Sequence, residues 1–207
     1  MLTILSPEKF KTIPWKNGLG HTTELAISEG GSLDSFDWRL SIASVVNDGD
    51  FSNFAGYQRN LVLIEGEGLT LDHRNGDIDN LTNLLDIAHF DGGCNTHGAL
   101  VNGGIKDFNI MTKQASFSAE VNCYVEQQKV IINLSTDSLV FAYSLSDEMM
   151  INTSDNEVGK VPVAHLAKLH VNQSAKGTER LNAAVTGKNI LIIELEPKKT
   201  INFLMTS

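Results

Sequence analysis

The sequence predicts an all-β fold of the sandwich or barrel class, on three observations. Short runs of alternating or β-branched residues recur along the chain, clusters of Gly, Asn, Asp and Ser separate them, and helix-start signals are scarce. In chain order, the expected strands are residues 22–28, 38–46, 61–65, 69–72, 117–125, 129–134, 139–143, 161–166, 190–195 and 200–205. Gly66-Glu67-Gly68 reads as a tight hairpin between two apolar runs, and Arg74-Asn75-Gly76-Asp77 and Asp91-Gly92-Gly93 read as longer ones. Only residues 7–11 and 178–185 offer a helix start followed by a turn or two. The chain changes character near residues 111–115, where the Gly-, Trp- and Arg-bearing half gives way to plainer strands. That change divides it into two β units, 1–115 and 116–207. No Pro- or Ser-rich linker lies between them, so they are expected to pack as one body through an apolar interface.

Composition excludes several classes. With 207 residues, 16 basic and 25 acidic side chains, the formal charge is −9. Duplex affinity comes from cations that displace counterions at phosphates, so a nucleic-acid partner is not expected. The 42% hydrophobic and 20% charged content is that of a globular chain. The N-terminal apolar run breaks at Ser6-Pro7 and is followed by lysines, the reverse of a secretion signal. No apolar run is long enough to cross a bilayer as a helix. Cys94 and Cys123 are too few for a disulfide framework and too far apart for a paired zinc knuckle, which suits free thiols in a reducing cytoplasm.

Four patches carry polar chemistry. The first is Pro14-Trp15-Lys16-Asn17-Gly18-Leu19-Gly20-His21-Thr22-Thr23-Glu24. Its glycines allow close backbone approach, so their amides can form an anion-binding concavity beside Lys16. The alternative is a structured turn whose Asn and Thr side chains satisfy its own backbone. In Phe36-Asp37-Trp38-Arg39-Leu40-Ser41-Ile42-Ala43-Ser44-Val45, period-2 alternation puts Trp38, Leu40 and Ile42 on one face and Arg39, Ser41 and Ala43 on the other. The second face suits a cavity lining; the alternative is a solvent face with Arg39 paired to a surface carboxylate.

The third patch runs from Asp48 to Leu61 and includes Phe51, Ser52, Phe54, Tyr57 and Arg59 on a Gly-containing loop entering a strand. A guanidinium flanked by aromatics is suited to grip a carboxylate bidentately, which makes Arg59 the first candidate anchor. The alternative ties Arg59 to Asp48 or Asp50. The fourth, residues 98–111, places Asp107 and Asn109 on one face of a strand, where they can orient an Arg or a ligand amide; Asp107 can equally cap a Gly-rich turn.

No His-x-His pair exists, and the six histidines are scattered. A metal site is therefore not expected; His21, His89 and His97 are the nearest to contributors. No nucleophile motif appears, and no cofactor is expected.

Taken in series, Trp15-Lys-Asn-Gly-Leu-Gly-His-Thr-Thr-Glu24, Trp38-Arg-Leu-Ser-Ile-Ala43, Asp48-Gly-Asp-Phe-Ser-Asn-Phe-Ala-Gly-Tyr-Gln-Arg59, Leu63-Ile-Glu-Gly66 and Asp107-Phe-Asn-Ile-Met111 resemble the successive signatures of the HutD/Ves family. The resemblance spans most of residues 1–115. It implies a cupin-like double-stranded β-helix, a bicupin of two packed barrel or sandwich units, without the usual cupin metal ligands. It also implies an association with histidine-utilisation genes and no firmly attached enzymatic activity. Carried over, the family's polar signature falls on Asn17, Thr22, Glu24, Trp38, Arg39, Ser52, Tyr57, Arg59, Asp107 and Asn109. Leu19 stands where a third glycine is common, and Thr112-Lys113-Gln114 follows Met111 where the family often has an Arg.

The resulting expectation is a cytoplasmic protein that binds a small carboxylate, senses or buffers an acidic intermediate of histidine breakdown, and has no membrane partner. Arg59 would pair with the carboxylate, Trp38 and Tyr57 would form apolar walls, and Asn17, Thr22 and Glu24 would complete a polar ring. One alternative is a metal-independent isomerase or hydrolase with Glu24 or a histidine as general base. Another is a protein-docking module, and a homodimer through edge strands is compatible with an antiparallel barrel.

Overall fold

In strands that are apolar on one or both faces, alternation fixes which side chains enter which core. The computed structural model of the chain describes residues 2–15, 20–171 and 181–199. Their strands form four antiparallel sheets.

A six-stranded sheet contains β2 (Lys11–Pro14), β3 (Gly20–Ile27), β4 (Trp38–Val45), β6 (Tyr57–Glu65), β9 (Ile87–Asp91) and β11 (Ile105–Lys113), in the spatial order β2-β3-β4-β11-β6-β9. A four-stranded sheet, β5-β10-β7-β8, is built from β5 (Gly49–Asp50), β7 (Leu69–Asp72), β8 (Ile78–Leu81) and β10 (His97–Leu100). The later part of the chain supplies β12 (Phe117–Tyr124), β14 (Leu139–Ser144), β17 (Leu166–Leu169) and β19 (Ile190–Pro197) to a five-stranded sheet, β1-β17-β14-β19-β12. Its edge strand β1 (Leu2–Leu5) comes from the start of the chain. The last sheet, β13-β18-β15-β16, is four-stranded and comprises β13 (Gln128–Leu134), β15 (Met149–Thr153), β16 (Val158–Val161) and β18 (Leu181–Gly187).

Three apolar cores stack these sheets. Leu61 and Leu63 of the six-stranded sheet meet Leu69, Leu71 and Leu81 of its four-stranded partner. Val140, Ala142 and Ile192 of the five-stranded sheet meet Ile151, Val161 and Val185 of the other. Between the two pairs, Trp38, Leu40, Phe108 and Ile110 pack against Phe141, Tyr143, Ile193 and Leu195. The six-stranded sheet is therefore buried on both faces, and its central strands read as almost unbroken burial.

The all-β expectation is met, with four corrections to its elements. Residues 181–187 are strand β18, not helix, because Ala183, Val185 and Gly187 alternate into the core. The expected strand at 161–166 is the junction of β16 and β17, interrupted by Pro162 and by Ala164 at φ 63°. Gly66-Glu67-Gly68 is not a hairpin. β6 is already flanked by β11 and β9, so the turn carries the chain across to the facing sheet. Gly66 is at φ 104°, and a Cβ there would lie 2.6 Å from the Ile105 side chain. Asp91-Gly92-Gly93 makes the same kind of crossing from β9 to β10. The Arg74–Asp77 turn does close a hairpin, pairing Asp72 with Ile78. The 7–11 signal gives a single 3-10 turn at Pro7–Lys9, and residues 200–205 lie outside the described residues. Among the described residues no helix is long and apolar enough to cross a membrane.

Phe141 is fully buried and its ring lies 5.3 Å from that of Trp38 across the central core. Phe141→Ala is expected to cost about 3–5 kcal/mol. Because the cavity would open between the two sheet pairs, calorimetry should show one transition at lower temperature, not the loss of one half while the other persists.

Candidate functional site

The face of the six-stranded sheet turned toward β5-β10-β7-β8 carries a polar strip within an apolar core. Strand β11 is paired on one side with β4 and on the other with β6. The register sets Met111 between Arg39 and Arg59, Asn109 between Ser41 and Leu61, and Asp107 between Ala43 and Leu63. Arg39, Ser41, Arg59, Asp107 and Asn109 are all buried.

Arg59 anchors this strip. Its Nη2 donates to Asn109 Oδ1 at 2.5 Å and its Nη1 makes a long 3.5 Å contact with the Ser52 carbonyl. The guanidinium carbon lies 5.2 Å from the ring centre of Phe51 and 5.1 Å from that of Phe90, both within cation–π range. Asn109 Nδ2 in turn donates to Asp107 Oδ1. Within the strip, the buried Arg59 Nε and Asp107 Oδ2 have no hydrogen-bond partner among the described residues.

Burial pushes the Asp107 carboxyl up to about 7, against the opposing pull of the Arg59 charge and the Asn109 hydrogen bond. Burial lowers Arg59 to about 10; Asp107 opposes the shift and the nearby Arg39 charge adds to it. Arg59 therefore stays cationic at neutral pH.

The second cation, Arg39, donates from Nε to Glu24 Oε2 at 2.8 Å, and the Glu24 side chain is 16% exposed. An irregularity in β3 between Glu24 and Ala26 makes this pairing possible. It sends Leu25 into the central core while Glu24 stays on the inner face with Arg39.

The other expected site residues are placed differently. The Thr22 hydroxyl accepts a 2.8 Å bond from Trp15 Nε1, at the edge of the same core. The Ser52 side chain is exposed, and only its carbonyl turns to Arg59. Trp38 is on the opposite face of the sheet from Arg59, packed against Phe141, so it cannot wall the Arg59 site. The Tyr57 hydroxyl donates to the Phe36 carbonyl at 3.0 Å and accepts from the Phe36 N–H at 3.2 Å, and its ring lies 4.4 Å from Phe36. It clamps a loop; the aromatic walls at Arg59 are Phe51 and Phe90. Asn17 lies outside the described residues.

Asp48 and Asp50 do not hold Arg59. Asp48 accepts from the Leu100 N–H, and Asp50 pairs with Arg74 and His97. His21, His89 and His97 bond separately to Ser44, Asn60 and Asp50, and no group of three or more metal-ligating side chains converges among the described residues.

Phe90 lies outside the expected strands and is placed by β9, a short strand paired to β6. Ser41 follows from the β4 alternation, on the same face as Arg39.

An all-β chain of stacked antiparallel sheets with a polar strip facing inward is a cupin-like protein. In keeping with this, a cupin 2 conserved barrel domain protein from Leptotrichia buccalis superposes with a TM-score of 0.51 at 10% identity, over 91% of this chain and 96% of that one. More particularly, the chain belongs to the HutD family, whose model matches residues 7–192. An uncharacterized 21.2 kDa protein in the hutC 3' region of Pseudomonas putida is 30% identical over 178 residues, 86% of this chain and 92% of that protein. HutD from Pseudomonas fluorescens SBW25, solved in a formate condition, superposes with a TM-score of 0.78 at 28% identity, covering 96% of this chain and all of that one. Protein Ves from Escherichia fergusonii is 36% identical over 108 residues, 52% of this chain and 56% of Ves.

The Asp107 shift has a definite sign. The unfolded chain releases this proton near the ordinary value of 3.8, and the folded chain holds it to about 7. The contribution of Asp107 to stability is therefore highest below pH 4, falls as pH rises to about 7, and is constant above. Urea unfolding of Asp107→Asn should lose that part of the slope between pH 4 and 7, and the variant should gain on the wild type as pH rises.

Proposed function

We propose that the protein binds a small carboxylate on the inner face of the six-stranded sheet and thereby senses or buffers an acidic intermediate of histidine utilisation. The observation that carries this reading is the charge balance of the strip. Two guanidinium groups, Arg39 and Arg59, meet one ion-paired carboxylate, Glu24, and one carboxyl, Asp107, that burial holds near neutrality. A monoanion supplies the missing negative charge, and the partnerless Arg59 Nε offers it a donor. The hutC-region description of the Pseudomonas putida relative and the HutD name of the Pseudomonas fluorescens relative point to the pathway. In this reading the two sheet pairs are the two units of a bicupin working in the cytoplasm. Binding is favoured over catalysis by Glu24, because its carboxylate is already engaged by Arg39 Nε at 2.8 Å.

Thermal shifts with urocanate, formiminoglutamate, formylglutamate, glutamate and histidine test the reading. One acidic compound should stabilise the protein, by roughly 2.7 kcal/mol at 100 times its Kd. Arg59→Ala is a poor probe, because it would strand Asn109 and Asp107 in the core and cost folding stability. Arg39→Lys and Arg59→Lys keep the charge but lose the planar fork, and each should weaken binding at least about tenfold. No shift with any acid, or equal shifts in both variants, would overturn the reading.

A further inference from the structure

Away from the arginine strip, a cleft of about 300 Å³ opens between the six-stranded and five-stranded sheets. Its size is at the lower end of small-molecule pockets, and junctions between packed units are a common place for such sites. Its rim is one row of cross-strand neighbours: His21 opposite Ser44, Ser44 opposite Lys106, Lys106 opposite Glu65. The Lys106 ammonium and Glu65 carboxylate are 2.6 Å apart, and both are open to solvent. Inward of the rim the lining turns apolar, with Leu25, Ile42 and Ile64 facing Leu145.

One polar group stands out in that apolar part. Tyr143 lines the cleft and is only 6% exposed, yet its hydroxyl has no hydrogen-bond partner among the described residues. Burial pushes the phenol up to about 12, so it is a neutral hydroxyl at every physiological pH. That hydroxyl is not among the fully buried partnerless atoms, so it opens on the cleft, where a bound molecule can reach it. The Tyr143 ring lies 5.3 Å from that of Phe108, which is two residues from Lys106 along β11.

We propose that this cleft binds a free α-amino acid with a ring side chain that carries a hydrogen-bonding atom at its tip. The rim presents a cation and an anion side by side. A zwitterion meets both, whereas a simple anion must displace Glu65 from Lys106, and a simple cation must displace Lys106 from Glu65. The apolar middle takes the ring, and the polar tip meets the Tyr143 hydroxyl.

Ligand-observed NMR with four matched probes tests this: L-tyrosine, tyramine, 3-(4-hydroxyphenyl)propionate and L-phenylalanine. L-tyrosine is expected to bind at least about tenfold more tightly than each of the other three. Tyr143→Phe should reduce L-tyrosine to the affinity of L-phenylalanine and leave L-phenylalanine unchanged. Glu65→Gln, on the surface, should reverse the charge preference so that the propionate binds more tightly than L-tyrosine. Arg39→Lys should leave all four affinities as they are, which separates this cleft from the inner strip. The proposal fails if none of the four binds saturably, if the propionate equals L-tyrosine in the wild type, if the advantage over L-phenylalanine survives in Tyr143→Phe, or if Arg39→Lys removes the binding.

Discussion

Strand β11 is hydrogen-bonded on both sides and covered on both faces, and the rest of the molecule follows from how its alternating side chains are shared out. Phe108 and Ile110 go to the core between the two sheet pairs, and Asp107 and Asn109 go to the opposite core. A shift of one residue in its register would exchange these sets, burying the carboxylate and amide against Phe141 and Tyr143 with no cation in reach. The pairing of β11 with both β4 and β6 prevents this, because Arg39 and Arg59 flank Met111 only in the observed register. The polar strip and the apolar interface are two readings of one strand.

Such a strip is expensive in a core. A buried guanidinium and carboxyl lose their hydration, and attraction between them repays that only in part. The chain limits the cost in two ways. It shares one amide between the pair, since Asn109 accepts from Arg59 and donates to Asp107. It also lays the Arg59 cation against Phe51 and Phe90, whose faces carry partial negative charge without needing solvation. The account still leaves Arg59 Nε and Asp107 Oδ2 unmatched. Aliphatic side chains, like those of the neighbouring Leu61 and Leu63 rows, would fill this space without that desolvation cost.

Much of this was legible in local sequence, because period-2 patterning acts over a few residues. The Trp38/Arg39 alternation separated the two faces of β4 correctly, and Asp107 with Asn109 did share a face of a strand. What local signals cannot encode is the partner of a strand. Gly66 permits a sharp turn, but whether β7 folds back on β6 or crosses to another sheet depends on β9 and β11, which come later in the chain. The same limit explains Tyr57 and Trp38: each has the chemistry of a pocket wall, and long-range packing assigned one to a loop clamp and the other to the far side of the sheet. Residues 178–185 carry a helix-start signal, but pairing of 181–187 with β13 and β15 overrides that local preference.

The cover over the arginine strip is not independent of the strip. Phe90, which lies against Arg59, also lies 4.6 Å from the His73 ring. His73 is buried just beyond β7 and bridges Thr96 at 2.9 Å and Asp79 of β8 at 3.0 Å, so it joins the β7–β8 hairpin to the segment leading into β10. Arg59, Phe90 and His73 thus form a packed line from the floor of the inner face to its opposing sheet. Movement of the Arg59 guanidinium toward an anion would shift the ring that supports His73, and the hairpin would have to follow or resist. Close-packed interiors transmit such displacements poorly as continuous deformation and better as a change between discrete packings. Under the proposed reading, in which an anion binds at Arg59, the β7–β8 hairpin is the surface that this packing connects to the anchor.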